Sequence, residues 1–599
     1  MRKILFYLLF TQLIWAQISL KSPHLREPEK AIGYVDSCAT FWLQTWDESR
    51  GGFYTNIDKY GDVITNWGTN KNMLTQTRNA YGLIRAYMLT GNENYLEYAE
   101  SALSFLYEHA WDDTYGGWYG DLDENGNPNS RFGNKTAFNQ HYALLGIMAA
   151  FEVTGDTSHF AWLEKGYQHL EDCFWDSRIG YEGYFDETNF NGTNRFNKSF
   201  NATVDAVTTH LLYLYLLTQE EKYLLRLEEI ADQMINRLVA SMDYQAVGFA
   251  EKYTADWQIN ASETMTIMGH ILKTAWCLGR IYQVNANDNY LPAAEQLVAD
   301  VLTNGYDHRF GGPYKDYNRV TGEMLMWGNP DTAKAWWQME QAVVAGLQLF
   351  NITNDSTYLE MADGTLDFFM KYFVDHEYGE VYENRTNYGA ETWGENKGGG
   401  GKAGYHSIEL GYYTYLYGNL LIHKKPATLH YKFAPADFPR DIRLFPMAID
   451  PAQLQLNSVK FNETAYTSFN ATECILHLNA GVGGHFIVTF APAGRTAIAL
   501  SDIRTEPKRF TLYSNYPNPF NSTTMIHYYL PDPTPVTINI FNMNGKMIRQ
   551  LVDRQENSGY KTLQWNGRDD TGHPVSSGNY FYQIITPGQK LTGKCLFIK

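Results

Sequence analysis

Between residues 30 and 425 apolar side chains recur at three- and four-residue spacing in paired runs. Leu83, Ala86 and Tyr87 belong to one run, and Tyr95, Tyr98, Ala99, Leu103 and Phe105 to the next, with Thr90-Gly91-Asn92 between them. That period lays the apolar positions along one face of a helix, and the glycine break predicts a turn, so each pair reads as a helical hairpin. Similar pairs flank Thr154-Gly155-Asp156, Thr218-Gln219-Glu220 and the stretch from Asn351 to Asp355. A second mark stands between the pairs: a bulky residue and an acid, then Gly-Gly or Gly with an aromatic. It occurs at Trp46-Asp47 with Gly51-Gly52-Phe53, Trp111-Asp112 with Gly116-Gly117-Trp118, and Trp175-Asp176 with Gly183-Tyr184. It returns at Met242-Asp243 with Gly248-Phe249, Tyr306-Asp307 with Gly311-Gly312-Pro313 and, more weakly, His376-Glu377 with Gly379. The marks lie 65, 64, 67, 64 and 70 residues apart, which defines six units of helix, turn, helix and Gly-rich hairpin. Six such units without polar caps are expected to close on themselves, because each apolar face needs a neighbour to cover it. The fold class expected over residues 17–425 is therefore mainly α, an (α/α)6 toroid of six helix pairs.

After Lys424-Lys425-Pro426 the period falls to two or to short apolar runs, as in Ile442-Arg443-Leu444-Phe445 and Phe486-Ile487-Val488-Thr489-Phe490, which predicts a small β module or linker over 426–505, either a β-sandwich or a β appendage to the ring. A second β module, 506–599, contains Tyr516-Pro517-Asn518-Pro519-Phe520-Asn521, Thr537-Ile538-Asn539-Ile540-Phe541, Asn544-Gly545-Lys546, Leu563-Gln564-Trp565-Asn566-Gly567-Arg568-Asp569 and Ser577-Gly578-Asn579-Tyr580-Phe581-Tyr582, ending in Lys594-Cys595-Leu596-Phe597-Ile598-Lys599. In the order of these motifs the stretch closely resembles the Ig-like C-terminal sorting domain of type IX secretion. The resemblance implies an address read by that secretion machinery rather than chemistry. At the other end, Met1-Arg2-Lys3 precedes an apolar run from Ile4 to Trp15 and then Ala16-Gln17. Charge, short apolar core and small residue predict a signal peptide over 1–16, too short for a membrane span. The expected location is outside the cell or on the outer-membrane surface of a Gram-negative bacterium.

A chain of 599 residues exceeds one hydrophobic core and predicts several domains. Its net charge of −18 disfavours nucleic acid and anionic membrane as partners, since both demand basic patches, and leaves neutral carbohydrate open. The five cysteines, Cys38, Cys173, Cys277, Cys474 and Cys595, are scattered singly, so buried free thiols are expected rather than a zinc site or disulfide framework. Asp121-Leu122-Asp123-Glu124-Asn125-Gly126 begins like a calcium loop but lacks the closing Glu, and its Asn-Gly predicts a hairpin turn.

In a toroid, one ring of helix ends lines a central funnel, so candidate chemistry must recur at matching places in several units. Four regions qualify: Gln76-Thr77-Arg78-Asn79-Ala80-Tyr81, Thr208-Thr209-His210-Leu211-Leu212, Gly269-His270 through Trp276, and Lys402-Ala403-Gly404-Tyr405-His406 after the glycine run that ends at Gly401. A guanidinium fork suits adjacent sugar oxygens, and imidazole exchanges protons near neutral pH.

These residues carry a resemblance to the N-acylglucosamine 2-epimerase superfamily, which includes cellobiose 2-epimerases and mannose isomerases. It spans about residues 30–425 and rests on Gln76-x-Arg78, Gly269-His270 with Trp276, Lys334-x-Trp336-Trp337-x-x-Glu340, and Lys402-x-x-Tyr405-His406, in the family's order. It implies proton removal beside a sugar carbonyl through an enediolate, with no metal or organic cofactor. By resemblance His270 and His406 are the acid/base pair and Arg78 stabilises the enediolate oxygen. His210 binds the sugar or helps open its ring, Trp336 and Trp337 form stacking walls, and Glu340 and Tyr81 add substrate contacts. Two positions depart from the pattern. Lys273 stands where the family usually has Glu, one helical turn after His270, and is expected to lower the basicity of that histidine. The sequence after the second histidine reads Ser407-Ile408-Glu409, without the Arg that often follows.

The function expected is an exported sugar epimerase or isomerase acting on a reducing mono- or oligosaccharide. Two other classes remain open at this level: a glycan-cleaving hydrolase or lyase, for which Asp205, Glu263, Glu340 and Glu391 are the available acids, and a non-catalytic surface glycan binder.

Overall fold

The structure, a computed structural model, describes residues 20–326, 328–446, 449–493, 510–512, 515 and 520–598. The signal-peptide segment 1–16 and the Tyr516-Pro517-Asn518-Pro519 motif lie outside the described residues.

Twelve long helices form six pairs, five of them hairpins and the sixth made by the first and last helices where the ring closes. In chain order they are α1 (Lys30–Leu43), α2 (Met73–Thr90), α3 (Glu93–His109), α4 (Ala137–Thr154), α5 (Thr157–Cys173) and α6 (Phe200–Ala206, continued through a π turn at Val207–Leu211 into Leu212–Thr218). They continue as α7 (Glu221–Gln233), α8 (Met268–Val284), α9 (Tyr290–Asp300), α10 (Trp336–Thr353), α11 (Ser356–Tyr372) and α12 (Tyr405–Leu416). The even-numbered helices form an inner ring. Every residue of α2 from Met73 to Leu89 is buried, whereas its partner α3 buries Tyr95, Leu96, Ala99, Ala102, Leu103, Phe105 and Leu106 along one face. A helix covered all round is a core helix, and one with a single apolar stripe is an outer one. The ring closes as expected: α12 packs on both α1 and α2. Tyr34 of α1 donates to the Ser407 carbonyl at 2.9 Å, and a Cβ on Gly82 would lie 2.1 Å from the Gly404 carbonyl oxygen. Only glycine permits that approach.

Turns between paired helices use left-handed residues, Gly91, Gly155, Gln219 and Asn354, at φ of 71°, 59°, 60° and 60°. The following residue or its neighbour then starts the outer helix, as Asn92, Asp156 and Asp355 do by accepting a backbone N–H on their side chains.

A buried ion pair recurs through the ring. Lys71, Lys135, Lys198 and Lys334 stand just ahead of α2, α4, α6 and α10, and donate to Asp47, Asp112, Asp176 and Asp307 at 2.8, 2.7, 2.8 and 2.9 Å. Each also donates to a hairpin carbonyl, of Gly51, Gly116, Tyr181 and Gly311. Lys397 treats Asp375 and the Gly379 carbonyl in the same way at 2.7 and 2.6 Å. The sixth acid mark is therefore Val374-Asp375, two residues before the expected His376-Glu377. In the fourth unit Thr266 occupies the lysine position and Asp243 is exposed, so that hairpin is held differently.

Residues 427–492 form a β appendage to the ring, the second of the two forms expected for this stretch. Their four-stranded sheet orders Ala427–Phe433, Gly484–Pro492, Leu454–Phe461 and Thr464–Tyr466, and shares one hydrophobic core with the helices. The segment lies across the C-terminal ends of the inner ring. A Cβ on Gly91 would lie 2.7 Å from His430, Ala434 N–H donates to the Thr154 carbonyl, and Ile449–Pro451 border a small cavity with Leu212, Leu216, Arg280 and Val284. Asn351 and Gln453 side chains pair at 2.8 Å, and Thr428 N–H donates to the Tyr415 hydroxyl at 2.9 Å, so all six inner helices are touched.

The second compact unit, described by itself, is a β-sandwich. One sheet orders Thr511–Leu512, Thr524–Leu530 and Gly559–Trp565, and the other Met547–Glu556, Thr534–Asn542, Gly578–Thr586 and Gln589–Phe597. Ile526, Ile538, Ile540, Trp565, Ile584 and Cys595 fill its core. All five cysteines are free, and no helix among the described residues is long and apolar enough to cross a membrane.

Candidate active site

The inner helices all begin at the end of the ring opposite the sheet, and four of them carry candidates in their first or second turn: Arg78 on α2, His270 on α8, Trp336 and Trp337 on α10, His406 on α12. The indole of Trp337, partly exposed, lies between the two histidines, with ring centroids 5.2 Å from His270 and 6.1 Å from His406. Gly269 makes this possible. A Cβ there would sit 2.6 Å from the Trp337 ring, which gives the Gly-His pair a steric reason.

Each imidazole is held through Nδ1 by a carboxylate. His270 Nδ1 lies 2.9 Å from Glu251 Oε2, and Glu251 Oε1 accepts the Ile267 N–H at 3.1 Å. Phe200 stacks on the other face of the ring, centroids 3.8 Å apart. His406 Nδ1 lies 3.2 Å from Glu340 Oε2, and Tyr405 covers one face at 4.1 Å. A carboxylate on Nδ1 places the proton there and leaves Nε2 with its lone pair for a substrate. Burial, reinforced by Arg78, Lys273 and Lys402, pushes the His406 pKa well below the ordinary histidine value, so this ring is neutral and able to accept a proton.

Arg78 is buried among aromatics, its Cζ 4.5 Å from the Tyr142 ring centroid and 5.6 Å from that of Tyr405. One Nη donates to the Gly401 carbonyl, so the glycine run delivers a backbone acceptor that aims the guanidinium. The run is tied to the ring by Lys397 and by the Gly398 N–H, which donates to Ile57. Asp316, beside His270, is pushed up to about 6 by burial, an effect that Lys315 and His270 only partly offset. Lys402 pairs with Glu380 at 2.9 Å, and Glu380 also accepts from Trp42 and Ser407, so the Lys-x-x-Tyr-His lysine anchors the start of α12.

Several sequence expectations are corrected. Lys273 does not act on His270: its ammonium lies 2.5 Å from Asp205 and 3.2 Å from the Tyr142 hydroxyl, and burial, which works against its charge, is more than offset by Asp205. The carboxylate partner of His270 comes instead from Glu251, on the hairpin before α8. His210 is fully buried on α6, stacked 5.5 Å from His141 with Nδ1 at 2.9 Å from Thr209, and is not part of the funnel wall. Burial, with His141 beside it, holds it well below the ordinary histidine value. Tyr81 and Glu340 are enclosed beneath the histidine rather than free for substrate: Tyr81 donates to Glu409 Oε1 at 2.5 Å. Of the two tryptophans, Trp337 is available as a wall, whereas Trp336 is buried with its edge toward His406 at 6.2 Å. Among the acids considered for glycan cleavage, Asp205 and Glu340 are committed to these buried partners, Glu263 binds the Met265 N–H, and Glu391 is exposed on a loop. Glu251, Glu409 and Asp316 escaped the sequence reading. Glu251 had a signal, since it stands at a fixed distance after the fourth Gly-aromatic mark, where the third unit has Asp186.

Residues 52–409 match the N-acylglucosamine 2-epimerase (GlcNAc 2-epimerase) family, and residues 519–586 match the FlgD Ig-like domain. The chain is 24% identical over 362 residues to a cellobiose 2-epimerase of Ruminococcus albus, covering 59% of this chain and 88% of that protein. It is 23% identical over 391 residues to the D-mannose isomerase of Marinomonas mediterranea, covering 63% and 93%. Among solved structures, cellobiose 2-epimerase from Spirochaeta thermophila shares the toroid with a TM-score of 0.57 and 21% identity, over 66% of this chain and 98% of that one.

Proposed function

The chain belongs to the N-acylglucosamine 2-epimerase family, and on that premise we propose that it interconverts a reducing sugar with its C2 epimer or ketose isomer by histidine-mediated proton transfer through an enediolate. The enzyme class is carbohydrate isomerase or epimerase. One observation carries the reaction: two imidazoles, each fixed through Nδ1 by its own carboxylate, border the same half-exposed indole at the open end of the ring. A sugar lying on Trp337 presents its carbonyl-side carbons to both rings. One Nε2 takes the proton next to the carbonyl, the electron pair passes into the enediolate, and the other imidazole returns a proton to the opposite face or to the neighbouring carbon. Arg78, desolvated and aimed by Gly401, stabilises the negative oxygen.

The test is incubation with a panel of reducing sugars in heavy water, following deuterium at C1 and C2 by NMR. Exchange that disappears in His270→Ala and His406→Ala supports the proposal. A sugar that binds without any exchange in the wild type sinks it.

We further propose that the chain leaves the cell and is handed to a type IX secretion route by its C-terminal unit. The motifs from Tyr516 to Lys599 and the Ig-like sandwich support this. Deletion of 506–599 should then retain the protein inside the producing bacterium, whereas unchanged export would refute the address.

A further inference from the structure

Beneath His406, three inner helices bring together Tyr81 from α2, Glu340 from α10, and Glu409 from α12. One side-chain nitrogen or oxygen each from Glu340, His406 and Glu409 lies within 4.8 Å of the other two. The two glutamates are 0% and 1% exposed. Two of their four oxygens have evident work. Glu409 Oε1 accepts from Tyr81; Glu340 Oε2 accepts from Gln341 and faces His406 Nδ1. That leaves Glu340 Oε1 and Glu409 Oε2, both buried and without a hydrogen-bond partner among the described residues.

Two ionised carboxylates this close and shielded from solvent repel each other, and their burial costs free energy. The cations that reach them are already spent: Lys273 is paired with Asp205 at 2.5 Å and Arg85 with Glu152 at 2.7 Å. The remaining titratable groups facing the pair are His406, the Cys277 thiol and the tyrosines Tyr34, Tyr81, Tyr213, Tyr405 and Tyr413, which supply no fixed charge. Burial, and Glu409 beside it, push the Glu340 carboxyl well up, and burial raises Glu409.

We propose that Glu340 and Glu409 share one proton between Glu340 Oε1 and Glu409 Oε2, which makes Glu409 a positioning residue that sets how strongly Glu340 draws on the Nδ1 proton of His406. The inference rests on the catalytic reading of His406 above. The pair then carries one proton and one negative charge throughout turnover. When His406 Nε2 takes a proton from the sugar carbon, the C–H electron pair enters the enediolate and the new imidazolium faces that single charge. When the proton is returned, the imidazole is neutral again, and the pair has neither gained nor lost a proton.

Two variants separate the roles. Glu409→Gln keeps a weaker N–H donor but removes the shared acid proton, so Glu340 becomes the stronger partner of His406 and the acid limb of the rate profile moves to higher pH. Glu340→Gln removes the counter-charge and moves that limb to lower pH, by about one unit. Opposite shifts are not produced by a merely structural role. Infrared spectroscopy of the unliganded full-length protein reads the proton itself without turnover, so it fails or succeeds independently of the reaction proposed. A buried protonated-carboxyl band at neutral pH, absent from both variants, is expected. No such band in the wild type, shifts of the two variants in the same direction, or one equivalent of a chelator-removable divalent metal in the purified protein would each overturn the proposal. Should either variant fail to fold, the wild-type band and metal content decide alone.

Discussion

Replacing Glu251 by Gln tests the site at a residue that does not itself touch the sugar. The glutamate has two acceptor oxygens and uses both, one for His270 Nδ1 and one for the Ile267 N–H. Glutamine has one. The backbone donor cannot be withdrawn, so the amide oxygen stays with Ile267 and its N–H₂ turns to His270 Nδ1. The imidazole must then accept at Nδ1 and carry its proton on Nε2, the wrong tautomer for a base. A hydrogen bond to a charged group is worth about 1.5–3 kcal/mol, and each 1.4 kcal/mol or so is tenfold in rate, so exchange at C2 should fall about 10- to 150-fold. Because the side chains are nearly isosteric and Trp337 is untouched, substrate affinity should change less than about threefold, well inside the rate effect. Deuterium exchange at saturating sugar gives the rate, and calorimetric titration gives the affinity. Exchange within twofold of wild type would refute the reasoning, because it would mean that the proton on His270 is not governed by Glu251.

Further consequences follow from the buried pairs and from the pocket wall. Lys273→Met leaves the buried Asp205 charge without its cation, with only the Asn201 amide donating to it, and should cost about 3–5 kcal/mol in denaturant unfolding, most of it recovered in the Lys273→Met/Asp205→Leu double variant; full stability of the single variant would contradict the pairing. Gly269→Ala drives a methyl into the Trp337 ring and should raise KM with a stability loss of about 1–3 kcal/mol, measured by kinetics and thermal unfolding. Trp337→Ala should weaken sugar binding directly, whereas Trp336→Ala should act mainly on stability, a split that binding and melting curves resolve. For the ring's ion pairs, burial pushes the Asp176 carboxyl up, but hydrogen bonds from Arg178 and Lys198 outweigh it and hold it at about 2, below its ordinary 3.8. That stability is present above pH 3.8 and is lost as pH falls toward 2. Burial pulls Lys198 down despite the same bridge, so the net gain is smaller than the aspartate alone implies. Asp176→Asn should therefore lose stability at pH 7 and draw level with wild type in urea unfolding near pH 2.

The toroid was legible because its determinants are local: helical period, Gly91 and Gly155 at turns, and an acid repeated at near-constant interval. Half of the bracing was visible as well. The acids stood out, but the lysines that answer them sit in variable hairpins and were read only where a family motif passed through Lys334. The site was legible where a residue and its neighbour share a helix turn, as with Gly269, His270 and the Trp336-Trp337 pair. It was not legible where partners meet across the ring. Lys273 looked like a neighbour of His270 because both lie on α8, yet its ammonium points to Asp205 on α6, and the carboxylate for His270 arrives from Glu251. His210 shared its setting with the other histidines, but stacking against His141 turns it away from the funnel. The alternation of residues 427–492 fits a free β-sandwich and an appendage to the ring equally; what decides between them is the face laid on helix ends, a contact across the fold.

That sheet turns the ring into a cup. The inner helices end against it near Thr428, His430, Ala434, Ile449 and Gln453, so Arg78, His270, Trp337 and His406 at their starts face the opposite, hairpin end. On the proposed function a reducing sugar enters and leaves by that same end, and a longer glycan offers only its terminal unit there, with the rest of its chain trailing into solvent.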